Sequence, residues 1–362
     1  MDNTDKTVYF ADERIKWFVE DERIRICGRE SCPEALKIYD EFVPSAFDAD
    51  YSRMDAMVLF HHIFMFQWLT PLKLSDVKYV EFTVPSTEGI GSIFLAYGRG
   101  KAFFAGKYGF TVTLKPGAAR YSDSMMQKYC NIAYTPEDSN ENNTICIVNY
   151  HAIMKMRYLR KEAALDDSIY TDNFLHDMKS YAEAVLKDKK VLGMLLRGTD
   201  YLVNQFGGKY KPVTVDMAIQ EAEELLKEYN YDRIFLATED KDILDAMKEN
   251  FKDKLITVSQ KRYHISDFTD EFKTISQIDR TLYPVKEDYD DFVEDVTVNY
   301  LYAMYILSNC DAFVYSCRCS GAAIVTQLGE DKIKRRYVFP TDRASGQFLS
   351  SIYGVPFLPI HV

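Results

Sequence analysis

From residue 191 onward the chain alternates short apolar runs with amphipathic stretches, and this alternation restricts the fold more than any other feature. VLGMLL at 191–196 is apolar throughout, as a strand covered on both faces requires. Thr214 to Tyr229 then places Val215, Ala218, Ile219, Ala222, Leu225, Leu226 and Tyr229 on one helical face. RIFLAT at 233–238 reads as the next strand, and Asp240 stands where it can cap a helix carrying Ile243, Leu244, Met247 and Phe251. KLITVS supplies a third strand. A polar, aromatic-rich loop is expected from Gln260 to Asp291, then a helix ending near Asn309, the strand DAFVYS at 311–316, a short helix and RRYVFP at 335–340. Strands separated by helices at this spacing predict a parallel sheet.

The first half follows the same plan less cleanly. VKYVEFTV, beginning at Val77, is strand-like, PSTEGIGS is a glycine turn, and SIFLAYGRGKAFFAGKYG has mostly helical spacing. FTVTL at 110–114 and TICIVN at 144–149 give further strands, so a β-α-β start to a second parallel sheet is predicted. The first seventy or so residues are assigned only as an extension packed on this domain. A chain of 362 residues exceeds one ordinary core and suits two. The polar stretch Thr135 to Asn143 reads as a surface loop, and the link between domains is expected around 155–185. The expected division is 1–170 for an N-terminal Rossmann-like domain with its extension and 171–362 for a C-terminal one, both of the α/β class.

A net charge of −11 argues against nucleic acid as a partner, because affinity for a phosphate backbone rests on Lys and Arg; it leaves room for one small anion in a local pocket. The opening MDNTDKTVYF lacks a basic start and an apolar run, so a cytoplasmic protein is expected. The most apolar stretch, Met57 to Thr70, is shorter than the ~20 residues of a spanning helix and reads as a buried helix, with a membrane-surface contact as the alternative. No metal site is expected. Cys317-X-Cys319 and Cys27-X4-Cys32 do not form paired zinc motifs, adjacent His61 and His62 point to different helix faces, and Asp48-Ala49-Asp50 follows no strong strand. Gly89 and Gly91 lack the third glycine of a dinucleotide fingerprint.

Open parallel sheets bind ligands beyond the C-terminal ends of their strands. Three such edges carry chemistry. Arg197-Gly198-Thr199-Asp200 follows the first strand of the second half; a guanidinium suits a diphosphate because its planar fork donates in pairs and keeps its charge, although an Arg–Asp pair can also simply close a loop. Thr238-Glu239-Asp240 follows the second, where carboxylates can hold ribose hydroxyls, brace Arg197 or cap the next helix. Ser316 to Ala323, with Cys319, Ser320 and Gly321, places small residues and hydroxyls at a helix start, where N–H groups and the dipole attract phosphate, or where small residues serve packing.

The order LLRGTDY, IFLATED, CDAFVYSCRCSGAAIV resembles the three C-terminal motifs of the fucosyltransferase superfamily, which covers α1,2-, α1,6- and protein O-fucosyltransferases. EGIGSIFLAYGRGKAFFAGKYGFTVTL resembles that superfamily's glycine turn and first helix, and the likeness organises roughly 77–340. The resemblance implies a GT-B fold, two Rossmann-like domains facing a cleft, with the acceptor on the N-terminal domain and the nucleotide sugar on the C-terminal one. It implies an inverting, metal-independent glycosyltransferase that needs no cofactor beyond its donor, GDP-fucose. The implied catalytic pair is Arg197 and Asp200; the implied donor contacts are Arg197, Thr238, Glu239, Asp240, Ser316, Cys319, Ser320 and Gly321. A glycan or lipid-linked oligosaccharide is the expected acceptor, with peripheral membrane contact allowed.

This chain departs from the pattern where the family reads guanine: the histidine two residues before the arginine is Leu195, and the aspartate eight residues before Asp311 is Ala303. The second arginine is Gly198, and the carboxylate that serves one branch as acceptor base is Gln205. Glu239, Asp240 and Asp216 remain candidates for the base. A transferase using another nucleotide sugar, and a protein that binds a nucleotide sugar without transfer, stay open as alternatives.

Overall fold

The computed structural model describes residues 76–84, 88–106, 109–117, 120–140, 142–147, 165–200, 213–269, 271–272, 274–316, 319–339 and 358–359. Met57 to Thr70, Cys27, Cys32, Asp48, Asp50, His61, His62, Tyr201 to Lys211 and Cys317 lie outside the described residues. By contacts the chain divides into two compact units, Met1–Asp123 with Ile132–Ala164, and Ser124–Asn131 with Leu165–Val362.

In the first unit β1 (Tyr79–Phe82) is flanked by β2 (Thr111–Leu114) and β3 (Thr144–Ile147), both parallel to it. β1 buries Val80 and Phe82 in alternation, the period of a strand. α1 (Ile90–Gly100) makes the crossover to β2 and is buried over most of its length. Its last glycine is there for space: a Cβ on Gly100 would lie 2.3 Å from the Phe82 ring. The expected helix through the Lys101 region does not continue as α; Lys101–Ala105 winds as a π turn.

The second unit holds six parallel strands: β4 (Val191–Leu196), β5 (Arg233–Thr238), β6 (Leu255–Ile256), β7 (Ala312–Tyr315), β8 (Arg335–Val338) and β9 (Leu358–Pro359). Their order across the sheet is β6-β5-β4-β7-β8-β9. The chain starts in the middle, builds outward to β6, returns to pair β7 with β4, and builds outward the other way. That is the doubly wound order, with its reversal between β4 and β7.

Alternation along the strands sorts side chains onto two faces. Leu192, Met194 and Leu196 join Ile234 and Leu236 in a core covered by α4 (Val215–Tyr229) and α5 (Lys241–Phe251). α4 is capped by Thr214 Oγ1, which accepts from Met217 N at 3.2 Å, and it ends at Asn230 with φ 54°. On the opposite face Gly193 lets the end of α7 (Lys286–Ser308) close in, since its Cβ would sit 3.0 Å from Leu307 and 3.1 Å from Cys310 Sγ.

Two sequence expectations are corrected. The loop predicted from Gln260 to Asp291 contains α6 (Ile275–Leu282), and α7 starts at Lys286. α6 begins in a capping box of Thr274 and Gln277, a signal overlooked among the polar residues. KLITVS pairs only through Leu255–Ile256. The segment Ser124–Asn131, with all of α2 (Asp123–Tyr129) but its first residue, belongs to the second unit for a physical reason: Tyr129 stacks edge-on against Phe174 of α3 (Asp172–Leu186) at 4.8 Å, and Tyr129 Oη donates to Glu294 at 2.6 Å.

Candidate functional site

The strand reversal leaves a break at the C-terminal ends of β4 and β7, and the first and third sequence edges meet there. The Arg197 backbone N–H donates to Ser316 Oγ at 2.7 Å, tying the residue after β4 to the residue after β7. The same hydroxyl lies 3.4 Å from Arg197 O, to which it donates. α8 (Ser320–Leu328) starts beside this tie, with Cys319 Sγ accepting from Ala322 N at 3.4 Å.

The second edge closes the site from β5. Glu239 Oε1 accepts from Gly198 N at 2.9 Å and from Thr199 Oγ1 at 3.2 Å, and lies 3.3 Å from Arg197 Nε. Arg197 Nη2 donates to Asp200 at 3.1 Å. Glu239 is only 6% exposed. Burial pushes its carboxyl above the ordinary value, opposed by the Arg197 charge and the Gly198 N–H and reinforced by Asp200. Thr199 is fully buried with φ 36°, a left-handed conformation that a β-branched residue adopts only when its surroundings hold it there. Asp200 and Glu239 thus hold the guanidinium from two sides at the ends of β4 and β5.

The other nominated residues have defined local partners. Asp240 caps α5, its Oδ1 accepting from Asp242 N at 2.9 Å and Ile243 N at 3.0 Å. Its other oxygen fills the space beside Gly198, where a Cβ would lie 2.0 Å away. Thr238 Oγ1 accepts from Asp240 N at 3.1 Å, shaping the same turn. Gly321 sits where a Cβ would be 3.0 Å from both Met304 Sδ and Tyr300 Oη and 3.2 Å from Leu195, so it serves the close approach of α8 to α7 and β4. The geometry therefore gathers Arg197, Asp200, Glu239 and Ser316 into one cluster. Thr238, Asp240, Cys319 and Gly321 build the turns and helix starts around it, and Ser320 is the first residue of α8.

Leu195 and Ala303, which stand at the resemblance's base-reading positions, are both buried. Sequence reading missed the segment that follows β6. Tyr263 N donates to Glu239 O and Lys241 N donates to Tyr263 O, each at 2.9 Å, extending the sheet by one isolated bridge, while Gln260 Nε2 donates to Thr238 O at 3.2 Å. The signal was weak because β6 is so short that its continuation reads as loop. Among the described residues no group of His, Cys, Asp and Glu converges as a metal site, and no helix is long and apolar enough to cross a membrane.

No protein-family model matches the sequence, and no curated protein does. Among solved structures the chain is similar to the α-1,6-fucosyltransferase NodZ of Bradyrhizobium soaked with GDP-fucose, at 10% identity over 70% of this chain and 92% of that one, with a TM-score of 0.42. It is also similar to POFUT1 in complex with GDP-fucose, at 9% identity over 79% and 98% of the two chains and a TM-score of 0.38. A mutant of Arabidopsis thaliana FUT1 in complex with GDP matches at 11% identity over 70% and 69%, with a TM-score of 0.40.

Proposed function

We propose that this chain is a glycosyltransferase of the fucosyltransferase type, which takes a sugar from a nucleoside diphosphate donor, with GDP-fucose the first candidate. The observation that carries the reading is the tie between Arg197 and Ser316 at the strand reversal, the place where doubly wound sheets bind their ligands. The order of the three motifs in the sequence supports a sugar nucleotide over other anions. In the proposed reaction the bond from the anomeric carbon to the donor phosphate oxygen breaks as an acceptor hydroxyl attacks from the opposite face, inverting the configuration; the bond's electron pair leaves with the diphosphate and the hydroxyl proton passes to water. Arg197 and the N-terminus of α8 stabilise the charge that develops on the departing diphosphate, without a metal. Glu239 and Asp200 act by holding the guanidinium in place. Asp240 is engaged with α5, so it is not assigned as the acceptor base. The acceptor is assigned to the N-terminal domain, divided from the donor domain near residue 170.

A second reading has its own observation. Leu195 and Ala303 are buried, and Leu195 packs toward Gly321, so neither can read a guanine edge. A transferase for a different nucleotide sugar fits that finding. Release of nucleoside diphosphate from GDP-fucose and from a panel of other nucleotide sugars, measured in EDTA, tests both. At least slow hydrolysis is expected, abolished by Arg197→Ala. Saturable binding with no hydrolysis and no transfer on any donor would leave a binding protein and end the enzyme reading.

A further inference from the structure

Extending the strand registers by one residue across the top of the sheet gives a row of charges. Leu196 pairs with Thr238, which sets Arg197 beside Glu239; Asp240 bridges Tyr263, which sets Glu239 beside Arg262. Neighbouring extended segments lie about 4.8 Å apart, and residues in register share a face. Arg262 thus flanks the buried Glu239 on the side opposite Arg197.

The segment holds Arg262 there firmly. Its neighbours Lys261 and Tyr263 alternate to the other side, where Tyr263 Oη donates to Asp279 at 2.5 Å and Lys261 Nζ lies 3.7 Å from the same carboxylate. Asp279 is 0% exposed, and the Lys261 ammonium also sits over the rings of Tyr263, Tyr283 and Phe292 at 5.2, 5.3 and 5.2 Å. The Arg262 guanidinium is aligned by two backbone carbonyls, Gln260 O at 2.5 Å from Nη1 and Val258 O at 3.2 Å from Nη2.

Those carbonyls orient the group without neutralising it. Among the described residues no carboxylate makes an ion pair with Arg262, whereas Arg197 touches two. Nε of Arg262 is buried without a hydrogen-bond partner among the described residues. Burial lowers its pKa to about 10, against the pull of Glu239. The row therefore alternates in sign from Asp200 through Arg197 and Glu239, and ends on Arg262, which among the described residues has no carboxylate in contact.

We propose that Arg262 is the second cationic contact of the anion site, and that a diphosphate lies across the end of β5 between Arg197 and Arg262. The assignment of the anion to a nucleotide rests on the reading given above; the cation itself does not. The probe is inorganic pyrophosphate, which carries the phosphates without base or sugar, titrated by calorimetry into the full chain. Arg262→Gln is expected to weaken pyrophosphate binding about 10- to 100-fold, the effect of one charge-assisted contact. Arg262→Lys keeps the charge and loses the fork, for an expected loss of about 3- to 10-fold, and it decides the matter if the glutamine variant does not fold. Unchanged pyrophosphate affinity in both variants overturns the proposal, as does a wild-type chain that does not bind pyrophosphate. If nucleoside diphosphates bind the wild type and the Arg262 variants alike, the donor reading stands and this one fails. If neither nucleotides nor pyrophosphate bind, both fail.

Discussion

The two edges of the six-stranded sheet use charged residues in opposite ways. At the N-terminal edge, Asp232 accepts from Lys190 N at 2.8 Å and Asp311 accepts from Val191 N at 2.9 Å, so two carboxylates fasten the start of β4 to the segments that precede its neighbours. Arg335 lies over the Tyr229 ring at 4.2 Å and Lys190 over Tyr231 at 4.9 Å, cations held on aromatic faces. At the C-terminal edge the carboxylate of Glu239 is buried against an arginine, a threonine has left-handed φ, and a second arginine has no ion-pair partner among the described residues. The first edge is what a sheet needs to close. The second contains burial and strain that closing a sheet does not require, and such departures concentrate at ligand sites.

The largest test of this contrast is Glu239→Gln. It removes the charge that holds Arg197 and should weaken binding of the donor's nucleoside diphosphate about 10-fold, and thermal stability should fall as well, by about 3 kcal/mol, because the largely buried Arg197 charge loses a partner. Affinity equal to wild type would show that Arg197 does not depend on Glu239 for its position.

Another carboxylate is buried away from both edges. Glu221 on α4 is 2% exposed, and its Oε2 has no partner among the described residues. Burial, with Glu224 and Glu228 nearby, raises its pKa from 4.5 to about 7. The folded chain then holds this proton more tightly than the unfolded one. The stability it contributes is complete below about 4.5 and is lost as pH rises through about 7. Chemical denaturation should therefore show Glu221→Gln to be more stable than wild type at pH 8, by on the order of 2–3 kcal/mol, with the gain shrinking toward pH 5. Nucleotide affinity should not change; if it does, burial rather than position in the sheet marks the functional residues.

At the N-terminal edge, Asp311→Ala leaves Val191 N without its side-chain acceptor and should cost about 1–2 kcal/mol in denaturant unfolding, with nucleotide binding intact. The smallest effect expected is a coupling. Asp240→Ala loses a cap, about 1 kcal/mol, and Gly198→Ala forces the Asp240 carboxylate aside. Because the added methyl fits once the carboxylate is gone, the double variant should be less destabilised than the sum by about 1 kcal/mol. Strict additivity would mean that the two residues do not share that space.

Much of this contrast could be read before the fold was known. VLGMLL and RIFLAT become β4 and β5 at the expected residues because strands covered on both faces need continuous apolar runs. Asp240 caps its helix as predicted, since a short acceptor three residues ahead of an apolar period has one obvious use. Arg197 and Glu239 each follow a strand end, with bracing of Arg197 among the uses open to the carboxylate, and the parallel register brings them to 3.3 Å. Arg262 could not be found that way. Its place depends on one isolated bridge, Asp240 to Tyr263, beyond a strand of two residues, and no local pattern encodes a pairing so short. The start of α7 was missed because KEDYDDFVED is too polar to show a helical stripe, although its acidic first turn suits a helix N-terminus. The structural use of Gly321 was equally hidden, since it depends on Met304, Tyr300 and Leu195 arriving from two other elements.

The proposed function places a nucleoside diphosphate at the strand reversal on Arg197. Calorimetric titration of GDP, UDP, CDP, ADP and dTDP without metal, into the wild type and Arg197→Ala, tests it most directly. Micromolar binding of at least one nucleotide is expected, with a loss of about 100-fold or more in the variant, the removal of a buried charge-assisted pair of hydrogen bonds. Equal affinity in the two proteins, or no binding of any nucleotide to the wild type, would contradict it.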